Sequence, residues 1–209
     1  MRRDAGVSHL IYSSVLHAIA SKLIQHKIKR DVEEYLIESG LNFTILHPTD
    51  YMLPIQFRSA FESGVWEQVF DLDRRHAMVD LGDVSDVVVK VAREHAHHFG
   101  ATYELTASGI HTGRGISVAM TAITARPIEA KLVSPDPWLE RYYGTGAAER
   151  FKHEYAVIRA AALWSSQYDF VGSSNVLDWL LARPSTTLET FIAREWASYQ
   201  AETKAISAV

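Results

Sequence analysis

Hydrophobic and polar positions change their period twice within the first fifty residues. The run VSHLIYSSV, residues 7–15, is β-branched and aromatic, which is typical of a short buried strand. From about Gln25 to Ser39 the apolar residues recur at helical spacing, and Gly40 stands where a C-terminal cap is expected. Residues 41–47, LNFTILH, form a second apolar run that stops before Pro48. Strand, helix and strand in this order predict a βαβ unit with two parallel strands.

The predicted helix carries an apolar stripe that we expect to be its buried face. The members of the stripe are three or four residues apart in most cases, as on one side of an α-helix. They are Ile24, Ile28, Val32, Tyr35 and Leu36.

The rest of the chain continues to alternate between strand and helix patterns. We predict further strands at residues 67–70, 102–107 and 128–133, and helices at residues 55–63, 84–94, 116–124, 138–164 and 188–200. Asp80 or Asp83 supplies the negative charge expected at the N-terminus of the helix that follows. Since no linker or repeat divides the sequence, we expect one α/β domain over residues 1–209, mostly helical from residue 108 onward.

Composition restricts the class of protein. With 209 residues, 47% of them hydrophobic, the chain can bury a core, and we expect a soluble globular protein. The net charge of -4 is spread along the sequence, so we expect neither nucleic acid nor membrane as a partner. The absence of cysteine fits a reducing compartment such as the cytoplasm. Aromatic residues exceed what a core of this size needs, which indicates an apolar pocket or an interface.

Three histidines suggest a metal site at first sight. His95, His97 and His98 lie at the end of a predicted helix, where cationic side chains are favoured. Because they lack a clearly spaced carboxylate partner, we expect them on the surface and predict no metal.

Several segments resemble parts of one protein family, and they occur in the same order as in that family. They are YSSVLH, QHKIKRDVEEYLIESGLNFTILHPTDYM, VDLGDVSDVV, GATYELTASG, ARPIEAKLV and SNVLDWLLARPSTTLETFIAREW. Together they resemble the NmrA-like proteins, which are atypical short-chain dehydrogenase/reductases. The resemblance covers nearly the whole chain and implies the C-terminal part of a doubly wound, Rossmann-like parallel sheet with a helical region on the substrate side. It also implies NAD(P)H as the cofactor of intact relatives.

The resemblance has one large gap. Residues 7–15 correspond to the fifth strand of the family's sheet, whereas the dinucleotide is held after the first strand. Met1 to Ala5 would then correspond to the end of the preceding helix. The glycines also indicate that this dinucleotide turn is missing. A G-x-G-x-x-G turn needs a third glycine three residues after the second. At that position valine follows Gly113 and Gly115, and glutamate follows Gly144 and Gly146. We therefore expect an N-terminally truncated chain that binds no cofactor by itself.

Lys29 is the first candidate for chemistry. It matches the family's pattern of a lysine four residues before a glutamate, here Glu33, on the helix that the resemblance places beside nicotinamide or substrate. A lysine in an apolar pocket has a lowered pKa and can act as acid or base. The alternative is an ordinary ion pair on a helix surface. The usual Tyr-x-x-x-Lys dyad is missing, since position 25 is glutamine.

Further candidates follow the ends of the two predicted strands. Ser14 ends the first strand and His47 ends the second, and the carboxyl ends of parallel strands meet at the edge where ligands of such sheets bind. His47 is a candidate acid/base partner of Asp50, with a hydrogen-bonded structural histidine as the alternative. The residues expected to bind substrate are His17, His26, Asp50, Tyr51, Met52, Trp138 and Tyr142.

Three functions are consistent with these patterns. The first is cofactor-independent acid/base chemistry, an isomerisation, cyclisation or dehydration of a small apolar carbonyl or phenolic compound, with Lys29, His47 and Ser14 transferring protons. The second is a binding or regulatory module. The third is a fragment of an NAD(P)H-dependent oxidoreductase. In each case the strand at residues 7–15 is an exposed edge, so we expect a homodimer or pairing with another chain there.

Overall fold

The computed structural model describes residues 6–207, except for the side chains of Tyr142 and Ser207. The prediction for Met1 to Ala5 lies outside the described residues. The strands are β1 Leu10–Ser13, β2 Phe43–Pro48, β3 Asp50–Tyr51, β4 Val65–Gln68, β5 Met78–Val79, β6 Ala101–Leu105 and β7 Glu129–Leu132. The helices are α1 Ile24–Glu38, α2 Pro54–Ser63, α3 Leu81–Glu94, α4 Gly113–Thr124, α5 Pro135–Tyr143, α6 Lys152–Ser165, α7 Asn175–Leu181 and α8 Leu188–Ser207.

The expected α/β fold and its opening βαβ unit are confirmed. Strands β1, β2 and β6 form a parallel sheet in that order, with Leu10 opposite Phe43 and Ser13 opposite Leu46. Strands β3 and β5, and likewise β4 and β7, pair in parallel as two-stranded sheets. Residues 7–9 lie outside β1, so this strand is shorter than predicted.

Strand β2 ends at Pro48, one residue later than the sequence predicted, and Pro48 itself is part of the sheet. It pairs with Leu105 of β6, and its carbonyl accepts a hydrogen bond from the Leu16 amide at 2.8 Å. A proline lacks only the N–H group, so the end of a strand tolerates it.

The expectation that α1 buries its apolar stripe is wrong for most of the stripe. Leu36 is buried, but Ile28 is 49% exposed and Tyr35 is 53% exposed. The side chain that α1 buries near its start is instead His26. Helical spacing shows which side of a helix is apolar, but not whether a neighbouring element covers it.

The core lies around β2, β5, β6 and the helices α2, α3, α4, α7 and α8. Its largest fully buried side chains include Phe57, Phe61 and Phe191. Asp80 caps α3 by accepting from the Gly82 amide, and Arg194 of α8 donates to the same carboxylate at 2.6 Å. These contacts fix the helices that surround the sheet.

Two smaller predictions need correction. The long helix expected over residues 138–164 is divided into α5 and α6, because Gly144 adopts a φ of 88° and ends α5. His98 is buried, and its ring contacts Glu94 at 2.9 Å and the Tyr103 hydroxyl at 3.0 Å. The carboxylate partner that the sequence pattern did not show is therefore Glu94, one helical turn before His98.

Among residues 6–207, no helix is both long and apolar enough to cross a membrane.

Candidate functional site

A cavity of about 460 Å³ opens beside the carboxyl ends of β1 and β2. This volume lies within the range of small-molecule sites, about 300 to 1,000 Å³. Its apolar lining includes the aromatic side chains Trp66, Phe70 and Trp138. Its polar lining includes Ser14, Gln25, His26, Asp50, Gln68, His76 and His111.

Helix α6 covers one side of the cavity with small side chains. Ile158, Ala161, Ala162 and Ser165 line it, and their spacing places them on one face of the helix. Leu163, on the same helix, is 65% exposed. The alanines leave space that a larger side chain at the same positions would fill.

Asp50 and His76 form an ion-pair geometry at the cavity. His76 Nδ1 lies 2.9 Å from Asp50 Oδ2, and the His76 side chain is buried while that of Asp50 is half exposed. The backbone of His76 exchanges two hydrogen bonds of 2.7 Å with His111, and that of the next residue, Ala77, donates to Phe170 at 2.8 Å. The backbone that carries the imidazole is therefore held in place, and the Asp50 carboxylate holds the ring through Nδ1.

Over the described residues, three of the five buried side-chain atoms without a hydrogen-bond partner belong to residues that line this cavity. Among the described residues, buried unpartnered side-chain atoms include Gln25 Oε1, Trp66 Nε1 and His76 Nε2, and all three residues line the cavity. Each such atom costs about 1 to 3 kcal/mol when nothing replaces the water it has lost. A bound molecule with complementary polar groups would offset this cost.

A second polar cluster connects α1 to the ends of β1 and β2. Glu33 accepts hydrogen bonds from the Ser14 hydroxyl and, at 2.9 Å, contacts His47 Nε2. Lys29 donates to the carbonyl of Ser13 at 2.7 Å, and its ammonium lies 5.1 Å from the centre of the Tyr12 ring. The proposed pairing of His47 with Asp50 is therefore wrong, because each has a different partner.

The structure brings together only some of the predicted site residues. Ser14, His26, Asp50, Tyr51 and Trp138 line the cavity. Of the other described candidates, Lys29 and His47 belong to the neighbouring polar cluster and are not among the lining residues.

The remaining candidates lie elsewhere. His17 bonds the Val171 carbonyl at 2.9 Å, and Met52 is 1% exposed in the core, so neither is among the described lining residues. The Tyr142 side chain lies outside the described residues. Whether any of these residues acts on a substrate stays a prediction.

Burial changes the protonation of two cavity histidines. The pKa of His26 is lowered because burial disfavours the imidazolium, although its bond to the His17 carbonyl acts in the opposite direction. The pKa of His111 is lowered for the same reason. Both rings therefore favour the neutral form more than a solvated histidine does.

A dinucleotide does not fit the glycine turns that the structure describes. A phosphate cradle needs backbone amides open to the ligand at a helix N-terminus. A Cβ at Gly113 would lie 2.8 Å from Gln68 Oε1 and 2.9 Å from Leu72 Cδ2, so side chains of the protein already fill this turn. Gly144 and Gly146 follow a helix, not a strand.

Comparison with known proteins places the fold. No protein-family model matches the chain, and no curated protein matches it by sequence. Among solved structures, the NADPH-dependent quinone oxidoreductase QOR2 from Escherichia coli is similar with a TM-score of 0.75 and 22% identity, over 92% of this chain and 69% of that one. Triphenylmethane reductase from Citrobacter sp. is similar with a TM-score of 0.75 and 20% identity, over 93% and 67%. NmrA, a negative transcriptional regulator, is similar with a TM-score of 0.67 and 16% identity, over 96% and 68%.

The chain shares the fold of these solved structures. The resemblance seen in the sequence is thus confirmed at the level of the fold, which is what likeness at these identities shows. The chain spans 69% of QOR2 and 66% of a Staphylococcus aureus nucleoside-diphosphate-sugar epimerase that it also matches.

Proposed function

We propose that this chain is the substrate-binding part of an NmrA-like oxidoreductase, and that its cavity binds a planar aromatic carbonyl compound. The observation that carries the proposal is the cavity itself, with four aromatic lining residues and three residues whose buried polar atoms have no partner. The names of two structural relatives, a quinone oxidoreductase and a triphenylmethane reductase, specify compounds with aromatic or quinonoid rings.

Different lining residues contact different parts of the ligand. Aromatic rings such as Phe70 and Trp66 pack against a planar ligand and exclude water. The Trp66 indole N–H is a donor only, so its natural partner is a carbonyl oxygen of the ligand. In NAD(P)H-dependent relatives the cofactor supplies a hydride, whereas the side chains described here bind and orient the substrate.

The binding proposal is tested with 1,4-naphthoquinone and the tryptophan fluorescence of the protein. Saturable quenching is expected, because Trp66 and Trp138 line the cavity. Ala161→Phe fills the cavity and should weaken binding about tenfold or more, which corresponds to about 1.4 kcal/mol. Leu163→Phe is the matched control, since Leu163 is on the exposed side of α6. Unsaturable quenching, or equal affinity in all three proteins, would overturn the proposal.

A second candidate function is acid/base chemistry without a cofactor, as an isomerase, cyclase or dehydratase performs it. The arrangement of Ser14, Glu33 and His47, with Lys29 on the adjacent turn of α1, supports it. The purified chain should then exchange the acidic protons of 2-tetralone for deuterium in D₂O, as followed by NMR. Lys29→Ala and His47→Ala should each slow the exchange. If both variants match the wild type, these residues do not carry that chemistry.

A further inference from the structure

His76 differs from the other cavity histidines in having a carboxylate partner. His26 uses its Nδ1 on a backbone carbonyl, whereas His76 Nδ1 faces Asp50 at 2.9 Å. An ionised carboxylate only accepts hydrogen bonds, so Nδ1 of His76 carries the proton. The second nitrogen, Nε2, is then left with a lone pair.

That lone pair has no partner among the described residues. His76 Nε2 is buried, the backbone of His76 is held by its hydrogen bonds to His111, and Asp50 holds the other ring nitrogen. The Phe70 ring stacks on the imidazole, with centroids 4.3 Å apart, and covers one face of it. His76 lines the cavity, and because the lone pair of Nε2 lies in the plane of the ring, a ligand that uses it would meet His76 at the ring edge.

We propose that His76, positioned by Asp50, accepts a proton from a hydroxyl group of the bound compound. The proposal rests on the cavity being a ligand site, as argued above, and narrows its ligand to hydroxylated aromatic carbonyl compounds. No motif surrounds His76 in the sequence, and its pairing with Asp50 joins positions 26 residues apart.

The proton transfer is balanced within the site. The ligand O–H bond breaks, its proton forms a bond to His76 Nε2, and the oxygen keeps the electron pair as a phenolate. The resulting imidazolium donates to Asp50 through Nδ1, and the negative charge of Asp50 stabilises it. No oxidant or reductant is needed.

The unpartnered atoms of the cavity residues are of two kinds, acceptors and a donor, and each kind specifies one polar group on the ligand. A hydroxyl matches the acceptor atoms His76 Nε2 and Gln25 Oε1, and a carbonyl matches the Trp66 N–H. The apolar lining favours a flat aromatic body between these groups. A hydroxylated coumarin or quinone has all three features.

The test compares 7-hydroxycoumarin with 7-methoxycoumarin, which has the same ring and carbonyl but no proton to give. At a pH below the pKa of free 7-hydroxycoumarin, binding should convert it to the phenolate, which is visible as a red shift of its absorption band. Its affinity should exceed that of 7-methoxycoumarin by about tenfold, the effect of one hydrogen bond to a charged group.

The variant His76→Asn keeps a donor for Asp50 but has no basic Nε2. It should remove both the phenolate band and the preference for 7-hydroxycoumarin, while its affinity for 7-methoxycoumarin stays within about twofold. His98→Asn is the matched control, because His98 is equally buried, also faces a carboxylate, and is not among the described lining residues. Asp50→Asn should weaken the phenolate band without abolishing binding, and Asp50→Glu should restore part of it.

The outcomes separate this inference from the proposed function. If both coumarins bind equally and no phenolate forms, His76 is not the proton acceptor, although the cavity still binds aromatic carbonyl compounds. If His76→Asn retains the phenolate band, another base accepts the proton and the inference is wrong. If neither coumarin binds the wild-type chain, both the inference and the proposed function are overturned.

Discussion

Glu33 Oε1 lies 2.9 Å from His47 Nε2, and this contact ties the end of β2 to the middle of α1. The same oxygen accepts a hydrogen bond from the hydroxyl of Ser14, the residue that follows the neighbouring strand β1. One carboxylate thus satisfies two polar side chains that contribute to the edge where the cavity opens. Removing the Glu33 carboxylate therefore tests how much it stabilises that edge.

Glu33→Ala should lower the free energy of unfolding by about 1 to 2 kcal/mol, because Ser14 and His47 lose their shared acceptor. Urea denaturation measures the change. Glu34→Ala, an exposed neighbour on the same helix, is the control and should remain within about 0.5 kcal/mol of the wild type. Equal losses in both variants would show that the Glu33 contacts do not stabilise the edge.

His26 predicts how stability depends on pH. Burial lowers its pKa below the ordinary value of 6.5, so between the folded pKa and 6.5 the unfolded chain binds more protons than the folded one. The free energy of unfolding should therefore decrease as pH falls from about 7 through this interval, and His26 contributes no such change above it.

Replacing His26 by asparagine removes this contribution. His26→Asn should reduce the slope of stability against pH by at most about 1.4 kcal/mol per pH unit. Part of the slope should remain, because the pKa of His111 is lowered too. His153→Asn, at an exposed position, should leave the slope unchanged. A slope unaffected by His26→Asn would contradict the lowered pKa.

The exposed stripe of α1 predicts self-association. Strand β1 is at the edge of its sheet among the described residues, and the apolar side chains of Ile28 and Val32 are exposed on the adjoining helix. We propose that a second copy of the chain covers this surface, since an uncovered edge strand beside apolar side chains favours pairing.

Light scattering tests the self-association. The wild-type chain should be a dimer, and the double variant Ile28→Glu, Val32→Glu should be a monomer because a carboxylate at an apolar interface is costly to bury. Ile55→Glu with Val118→Glu is the matched control, since these two residues are also exposed but lie on α2 and α4. A wild-type monomer would contradict the proposal.

The sequence predicted those parts of the fold that depend on local periodicity. The βαβ unit was predicted correctly because strand and helix patterns differ over short stretches. The exposure of the Ile28 side chain was not predicted, since it depends on which element lies beside α1. Likewise, His47 and Asp50 are close in sequence, but their actual partners are Glu33 and His76, which only the tertiary fold brings near.

The candidate site was predicted in part for the same reason. The ends of β1 and β2 indicated the edge of the sheet where the cavity opens, and Ser14, Asp50 and Tyr51 line that cavity, while their role in binding stays a prediction. Trp66 and His76 carry no motif, and they reach the cavity from a segment that follows α2. Chemistry that depends on such distant segments leaves no spacing to recognise in a single sequence.

Calorimetric titration with 1,4-naphthoquinone at two temperatures tests the proposal that the cavity binds planar aromatic carbonyl compounds. The wild-type chain should show saturable heat for one site and a negative heat-capacity change, the mark of apolar surface buried on binding. Ala161→Phe should abolish most of that heat. No saturable heat in the wild type, or the same heat in Ala161→Phe, would contradict the claim.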